Sequence, residues 1–226
     1  MSATFISAEA VTLSGGSATI TIPSDCTAVY VSWTYFNATN DVGLASATLN
    51  SANPDPNPGF EIDTSAVDDF TATGMCAWYN PATGARTLAM TFDAATTEGP
   101  TIIATYVKNG NTTAVRDVDG GQGLGSNTVN VTLTTVSTDL VIKHDQKFGG
   151  TPPTTSASWT SGQTQTNNSE SARVSYIVAA GSTQLCECKG EDYSTIVAWS
   201  IEENIIEGPA AGRYGPYHVQ RALLMR

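Results

Sequence analysis

The chain has 226 residues, of which 40% are hydrophobic and only 14% charged, with a formal net charge of −11. That length fits one β domain or two small ones, and the apolar content suffices for a core. An acidic chain lacks the basic footprint that nucleic acid and anionic membranes require, so neither is an expected partner.

Taken in chain order, the pattern is one of short strands. "AVTL" and "SATITI" (10–22) read as an edge pair split by Gly15-Gly16. "AVYVSWTYF" (28–36) puts Val29, Val31, Trp33 and Tyr35 on one face of an extended chain. "GLASATL" (43–49) follows a turn. "NSANPDPNPGFEIDTSAVDD" then crowds in prolines, which cannot join a ladder interior, and reads as an insertion or surface loop. "MCAWYNPATGARTLAMTFD" (75–93) is the clearest signal. Met75 to Tyr79 are apolar on both faces, which suits a central strand or one covered outside. After an Asn-Pro turn, Leu88, Met90 and Phe92 alternate with Thr and Ala, so the stretch predicts a hairpin.

"PTIIATYVK" (100–108) is another strand, followed by the Gly-rich "NGNTTAVRDVDGGQGLGSN", read as a loop. "TVNVTLTTV" (128–136) points Val129, Val131 and Leu133 inward, and "TDLVIKHD" (138–145) continues the meander. Residues 147–170 are polar and low in complexity, a long loop or a two-sided hairpin. "ARVSYIVAA" and "TQLCECK" (172–189) flank a tight turn at Gly181-Ser182, and "YSTIVAWSIEE" (193–203) closes the pattern. About ten strands with no helical period predict an all-β antiparallel sandwich. Residues 1–203 form that body, with 204–226 as a C-terminal extension whose "HVQRALLMR" could make one or two helical turns.

Charge divides the same way. Residues 1–203 hold 20 of the 21 acids and 7 of the 10 bases, a net of −13, while 204–226 set Glu207 against Arg213, Arg221 and Arg226. A basic, apolar extension on an acidic body is read as a docking segment, with Arg213, Tyr214, Tyr217, Arg221, Leu223, Leu224 and Met225 as its contacts. "MSATFISAEAVTLSGG" lacks the basic and long apolar regions of a signal peptide. No apolar run is long enough to span a membrane as a helix. The product is therefore expected to stay in the cytoplasm of the cell that makes it until lysis.

Chemistry is sparse. Cys26, Cys76, Cys186 and Cys188 are expected to be buried free thiols; with no histidine near Cys186 and Cys188, a zinc site is not expected. His144 and His218 are the only histidines, and no Gly-x-Ser-x-Gly elbow occurs, so a hydrolase triad is not expected; His144 reads as a surface or satisfied residue near a strand end. Glu202 and Glu203 are adjacent and point to opposite faces, which disqualifies them as a glycosidase pair. "DVDGG" (117–121) opens like a calcium loop but lacks the acids an EF-hand needs downstream. Asp117 and Asp119 leave room only for a looser calcium site, set against an ordinary turn. Trp33, Trp78 and Trp199 lie in apolar strands and are expected in the core. Trp159 lies in "SASWTSGQTQ" and is expected to be exposed, as a glycan or protein contact. No catalytic residue, metal or cofactor is expected.

The order of these stretches resembles a jelly-roll β-sandwich domain of bacteriophage virion proteins and bacterial surface proteins. The likeness runs over residues 10–203, from "VYVSWTYF" through the Asn-Pro turn and the Thr-Val strand to "YSTIVAWSIEE". It departs in the Pro-rich loop at 51–60 and in the C-terminal segment. The resemblance implies a jelly-roll fold, no shared catalytic residues, and a non-enzymatic structural role in the virion, as a head decoration, fibre or tail component. Its implied partners are other virion proteins and further copies of the chain. The alternative is a carbohydrate-binding adhesin for host surface glycans, using Trp159 and the loops at 51–60 and 117–126.

Overall fold

A computed structural model describes residues 2–37, 43–56, 59–66, 69–93, 99–111, 113–124, 128–148, 151–153, 156, 158–167, 170–189 and 193–202. All regular structure among them is antiparallel β. Eight strands make a first unit: β1 (Thr4–Val11), β2 (Ser17–Ile22), β3 (Ala28–Asn37), β4 (Leu44–Leu49), β5 (Phe60–Ala66), β6 (Asp69–Tyr79), β7 (Gly84–Phe92) and β8 (Thr101–Lys108). Seven make a second: β9 (Asp117–Leu124), β10 (Thr128–Thr134), β11 (Leu140–Phe148), β12 (Thr160–Asn167), β13 (Glu170–Val178), β14 (Thr183–Lys189) and β15 (Tyr193–Ile201).

The two units are wound alike. The first has a five-stranded sheet, β1-β8-β3-β6-β5, and a three-stranded sheet, β2-β7-β4. The second has β9-β15-β11-β13-β12 and β10-β14. Strand for strand, in chain order within each unit, the five-stranded orders coincide. In both, the first strand pairs with the last and the second with the next to last. The third pairs with the strand that precedes those two. Only the counterpart of β4 has no equivalent among the described residues. The likeness extends to residues: "TIIATYV" (101–107) and "TIVAWSI" (195–201) occupy the same place. Ladder registers equate Trp33 with Asp145, since they face Ile102 and Ile196 respectively.

Three apolar clusters bind the four sheets into layers. In the first unit Val29, Val31, Trp33, Tyr35, Ile102 and Cys76 face Ile20, Leu49, Leu88 and Met90. In the second, Val141, Ile196 and Ala198 face Val129, Val131, Leu133, Cys186 and Cys188. Between the units, Tyr30, Met75, Ala77 and Ile103 meet Ile142, Val174, Val197, Trp199 and Ile201. The two five-stranded sheets therefore pack on each other. Their central strands, β3 and β11, are buried on both faces because each is covered twice, and β8 is buried along nearly its whole length. Full burial of such side chains stabilises by roughly 1.5–3 kcal/mol each. Phe5 of the first unit stacks on Tyr176 of the second at 4.1 Å. At the rim of the seam, Gln165 accepts from the Ile102 amide and donates to the Val11 carbonyl.

Several expectations change. A two-layer body becomes four layers. The pair read at 10–22 is not a ladder: β1 and β2 edge different sheets, joined by the isolated Ser14–Ser17 bridge between them and by the Thr21 amide, which donates to Glu9 at 3.2 Å. The hairpins read at 75–93 and 172–189 are crossings from a five-stranded sheet to its smaller partner. Periodicity identifies the face a strand buries; it does not identify the neighbour. The proline-rich stretch ends in the edge strand β5. The Gly-rich stretch contains β9, where glycine serves packing: a Cβ on Gly121 would meet Val129 at 2.9 Å. The polar 147–170 stretch, read as a long loop or a two-sided hairpin, contains β12, whose partner β13 begins only at its last residue, Glu170.

Candidate functional site

The buried polar groups concentrate in the second unit and its seam with the first. β11 carries "KHDQ" through the middle of the fold, and the pleat sends alternate members to opposite faces. His144 and Gln146 enter the seam. Lys143 and Asp145 enter the second unit's own core. All four are buried.

In the seam, His144 Nδ1 lies 2.7 Å from Ser32 Oγ, and Ser32 Oγ donates to the Ile103 carbonyl at 3.3 Å. Ser32 and His144 occupy equivalent positions in the two units, so the contact joins like to like. Burial holds the imidazole far below its ordinary value, to about 3. His144 therefore stays neutral and shut away from any substrate. Sequence reasoning placed it near a strand end and allowed it the surface; it sits mid-strand in the centre of the molecule. Beside it, Thr101 donates to Gln146 at 3.0 Å, and the Gln146 amide donates to Glu170.

In the second unit's core, Lys143 Nζ lies 2.7 Å from Asp145 Oδ2 and donates to the Glu187 carbonyl at 2.5 Å. The same ammonium stands 5.0 Å from the centre of the Trp159 ring. Burial pushes the Asp145 carboxyl up to about 6, against the opposing pull of Lys143. Cys186 and Cys188 line the cluster as free thiols. Burial pushes Cys186 up to about 12 and raises Cys188 likewise, so neither offers a thiolate nucleophile. Cys26, in the first unit, is pushed up to about 11 by burial.

Trp159 corrects the sequence reading directly. It is 9% exposed, packed with Val141 and Ala179 in the second core, and its ring holds an ammonium. No ring face is left for a sugar. Trp33, Trp78 and Trp199 are buried as expected. Asp117 accepts from the Val118 and Thr134 amides, and Asp119 from the Gly120 amide. Among the described residues no group of three metal-ligating side chains converges, there or elsewhere. Glu202 is bound by Arg116 at 3.0 Å. The docking residues Arg213, Tyr214, Tyr217, Arg221, Leu223, Leu224 and Met225, with His218 and Glu203, lie outside the described residues.

A surface groove of about 200 Å³ opens at the β6–β7 crossing, lined by Leu49, Asn50, Trp78, Tyr79, Asn80 and Arg86 among others. Asn50 and Asn80 adopt positive φ, and Trp78 Nε1 donates to the Ala52 carbonyl at 2.9 Å. The groove adjoins the proline-rich stretch that sequence reasoning nominated as a binding loop. It was not itself foreseen, because its wall comes from three separate strand ends. No helix among the described residues is long and apolar enough to cross a membrane. Comparison with protein-family models, curated proteins and solved structures gave no match.

Proposed function

We propose that the chain is a non-enzymatic structural protein of a bacteriophage particle: a rigid tandem of jelly-roll units joined to its neighbours by its C-terminal segment. The observation that carries this is the nested pairing. β1 with β8, β2 with β7 and β3 with β6 are three of the four pairings by which an eight-stranded ribbon rolls into two facing sheets. The fourth strand pair is altered, since β5 bonds β6 rather than β4. The second unit repeats the scheme. Fold alone names no function. The reading joins the roll to three further features: Lys143, His144 and Asp145 of β11 are buried, the body is acidic, and the 204–226 segment is basic and apolar. Residues Arg213, Tyr214, Tyr217, Arg221, Leu223, Leu224 and Met225 make its contacts with other virion proteins or other copies.

Deleting residues 208–226 is expected to leave a cooperatively folding body, because all three apolar clusters lie before residue 202. The truncated protein is expected to drop out of particles assembled in its presence. Normal incorporation, measured by the protein content of purified particles, sinks the docking assignment.

One observation favours a second reading, an adhesin for host surface glycans. The groove beside Tyr79 pairs an aromatic wall with Asn50, Asn80 and Arg86, the mixture that holds a sugar ring. On an array of cell-surface glycans this reading expects a signal that falls about tenfold in Arg86→Ala, roughly 1.4 kcal/mol. An array without signal removes it.

A further inference from the structure

The first unit has a strand with no counterpart in the second among the described residues. β7 carries β2 on one edge and β4 on the other, while its counterpart β14 carries only β10 among the described residues. Chain length explains the difference. Residues 38–59 join β3 to β5, but only 149–159 join β11 to β12, and these include Pro152-Pro153. That connection is half as long as the one that holds β4.

The vacant edge can be read residue by residue. The Thr135 amide donates to the Ser182 carbonyl at 2.9 Å, which fixes the phase of the β10–β14 ladder. Gln184, Cys186 and Cys188 therefore bond to β10, and Leu185 and Glu187 turn their main-chain groups outward. The Glu187 carbonyl receives Lys143, and the Leu185 carbonyl receives the Gln184 side chain. The two outward amides have no partner among the described residues. At the same end of β14 stand Leu185, Val178 and Val136, which are 48%, 57% and 45% exposed and are the large apolar side chains most open to solvent among the described residues. An unpaired edge beside apolar side chains is a template for another strand.

The chain leaves the fold beside this patch. β15 ends at Ile201 opposite Leu140, and Arg116 ties the next residue, Glu202, to Asp139. Asp139 in turn accepts from the Val136 amide at 2.9 Å. Asp117, Asp139 and Glu202 outnumber Arg116 here, and the segment beyond carries Arg213, Arg221 and Arg226 against Glu207. We propose that the free edge of β14 receives a strand from residues 204–226 of a second copy of the chain, completing the smaller sheet as β4 does in the first unit. This rests on the reading of that segment as the docking element, and it names the surface on which it docks. Direction favours a second copy. β4 runs antiparallel to β7, so the guest must run toward the Thr183 end of β14. β15 releases the chain at that very end. A chain bonding to itself must first retrace β14, roughly 23 Å at 3.3 Å per residue, before turning.

The test uses the full chain and a fluorescent peptide of residues 204–226. Leu185→Pro removes one outward amide and leaves the bonds to β10, which its neighbours make. A peptide N-methylated at alternate residues removes the same bonds from the other partner, with no change to the protein. The full chain is expected to gain mass with concentration in sedimentation. Leu185→Pro, still folded by circular dichroism, is expected to stay monomeric, and both changes are expected to weaken peptide binding about tenfold or more. A wild-type chain monomeric at every concentration overturns the proposal. So does peptide binding indifferent to Leu185→Pro and to N-methylation; that result moves the docking surface elsewhere and leaves the docking role standing. Should the 208–226 deletion also enter particles normally, the docking role itself falls.

Discussion

Asp145→Ala is expected to cost about 3–5 kcal/mol of folding free energy, the usual result of stranding one ion of a buried pair. Lys143 and Asp145 have 1% and 0% of their surfaces exposed. Without the carboxylate, the ammonium keeps only the Glu187 carbonyl and the face of Trp159. The first unit solves the same position differently. Val31 and Trp33 stand where the second unit has Lys143 and Asp145, and Trp33 lies over Gly74, whose missing Cβ would come within 2.7 Å of its ring. An apolar pair can thus occupy this place in the same winding. The double variant Lys143→Val/Asp145→Leu is accordingly expected to recover most of the loss, or to exceed the parent, since well-packed apolar replacements of buried ion pairs are often neutral or stabilising by 1–4 kcal/mol. Urea denaturation of the parent, both single variants and the double variant gives the coupling energy directly. Equal losses in the single and double variants contradict the argument, because the pair would then have no energetic unity.

Lys143 also bears on the vacant edge of β14. Its ammonium meets an outward carbonyl of that strand from beneath, the kind of inward-pointing charge that discourages indiscriminate edge pairing. The short connection at 149–159, the buried ion pair and Trp159 are three parts of one substitution. Where the first unit has Val31 and Trp33, the second has Lys143 and Asp145, with the ring of Trp159 over the ammonium.

How much of this was legible in the sequence depends on what each residue reports. Alternation reports a face, and the faces of Val29–Tyr35, Leu88–Phe92 and Val129–Leu133 were read correctly. The apolar run at Met75–Tyr79 announced a strand covered on both sides, and Met75 and Cys76 do face different cores. Alternation does not report a neighbour. Two strands joined by four residues look like a hairpin whether they bond to each other or cross between sheets, so both crossings were misread. Glycine and polar runs report solvent on average, which hid β9 and β12. The seam between units was masked for a different reason. "KHDQ" has the composition of a surface, and only the burial of a second five-stranded sheet against the first turns it inward. Trp159 failed in the same way: its polar neighbours described the loop, whereas its own ring packs into the second unit's core over the Lys143 ammonium. The repeat itself was visible in "TIIATYV" and "TIVAWSI", a signal that strand-by-strand reading passes over.

His144 should contribute an acid-dependent loss of stability that one substitution removes. Ser32 Oγ donates to the Ile103 carbonyl, so the neutral ring gives its Nδ1 proton to Ser32, and Nε2 faces the apolar seam without a partner. Protonation would place a charge among Ile142, Val174 and Trp199, which is why burial holds this group to about 3 instead of 6.5. Below pH 6.5 the unfolded chain takes up a proton that the folded chain refuses. Stability is therefore lost as pH falls from 6.5 toward 3, at up to about 1.4 kcal/mol per pH unit. Asp145 works in the opposite sense. Burial raises it from 3.8 to about 6, so the folded chain holds a proton in that window which the unfolded chain releases. Its contribution is fully present below 3.8 and is lost as pH rises through about 6. Between pH 6 and 4 the two slopes nearly cancel, and the parent is expected to show little net dependence from this pair of groups. His144→Gln keeps a donor for Ser32 and cannot titrate. Relative to the parent it is expected to gain about 2 kcal/mol on going from pH 6.5 to 4.5. Urea titrations of both proteins at half-unit intervals measure the difference, and comparison between them cancels the titration of every shared group. A constant difference across that range means the imidazole is solvated, and with it the picture of two sheets sealed face to face fails.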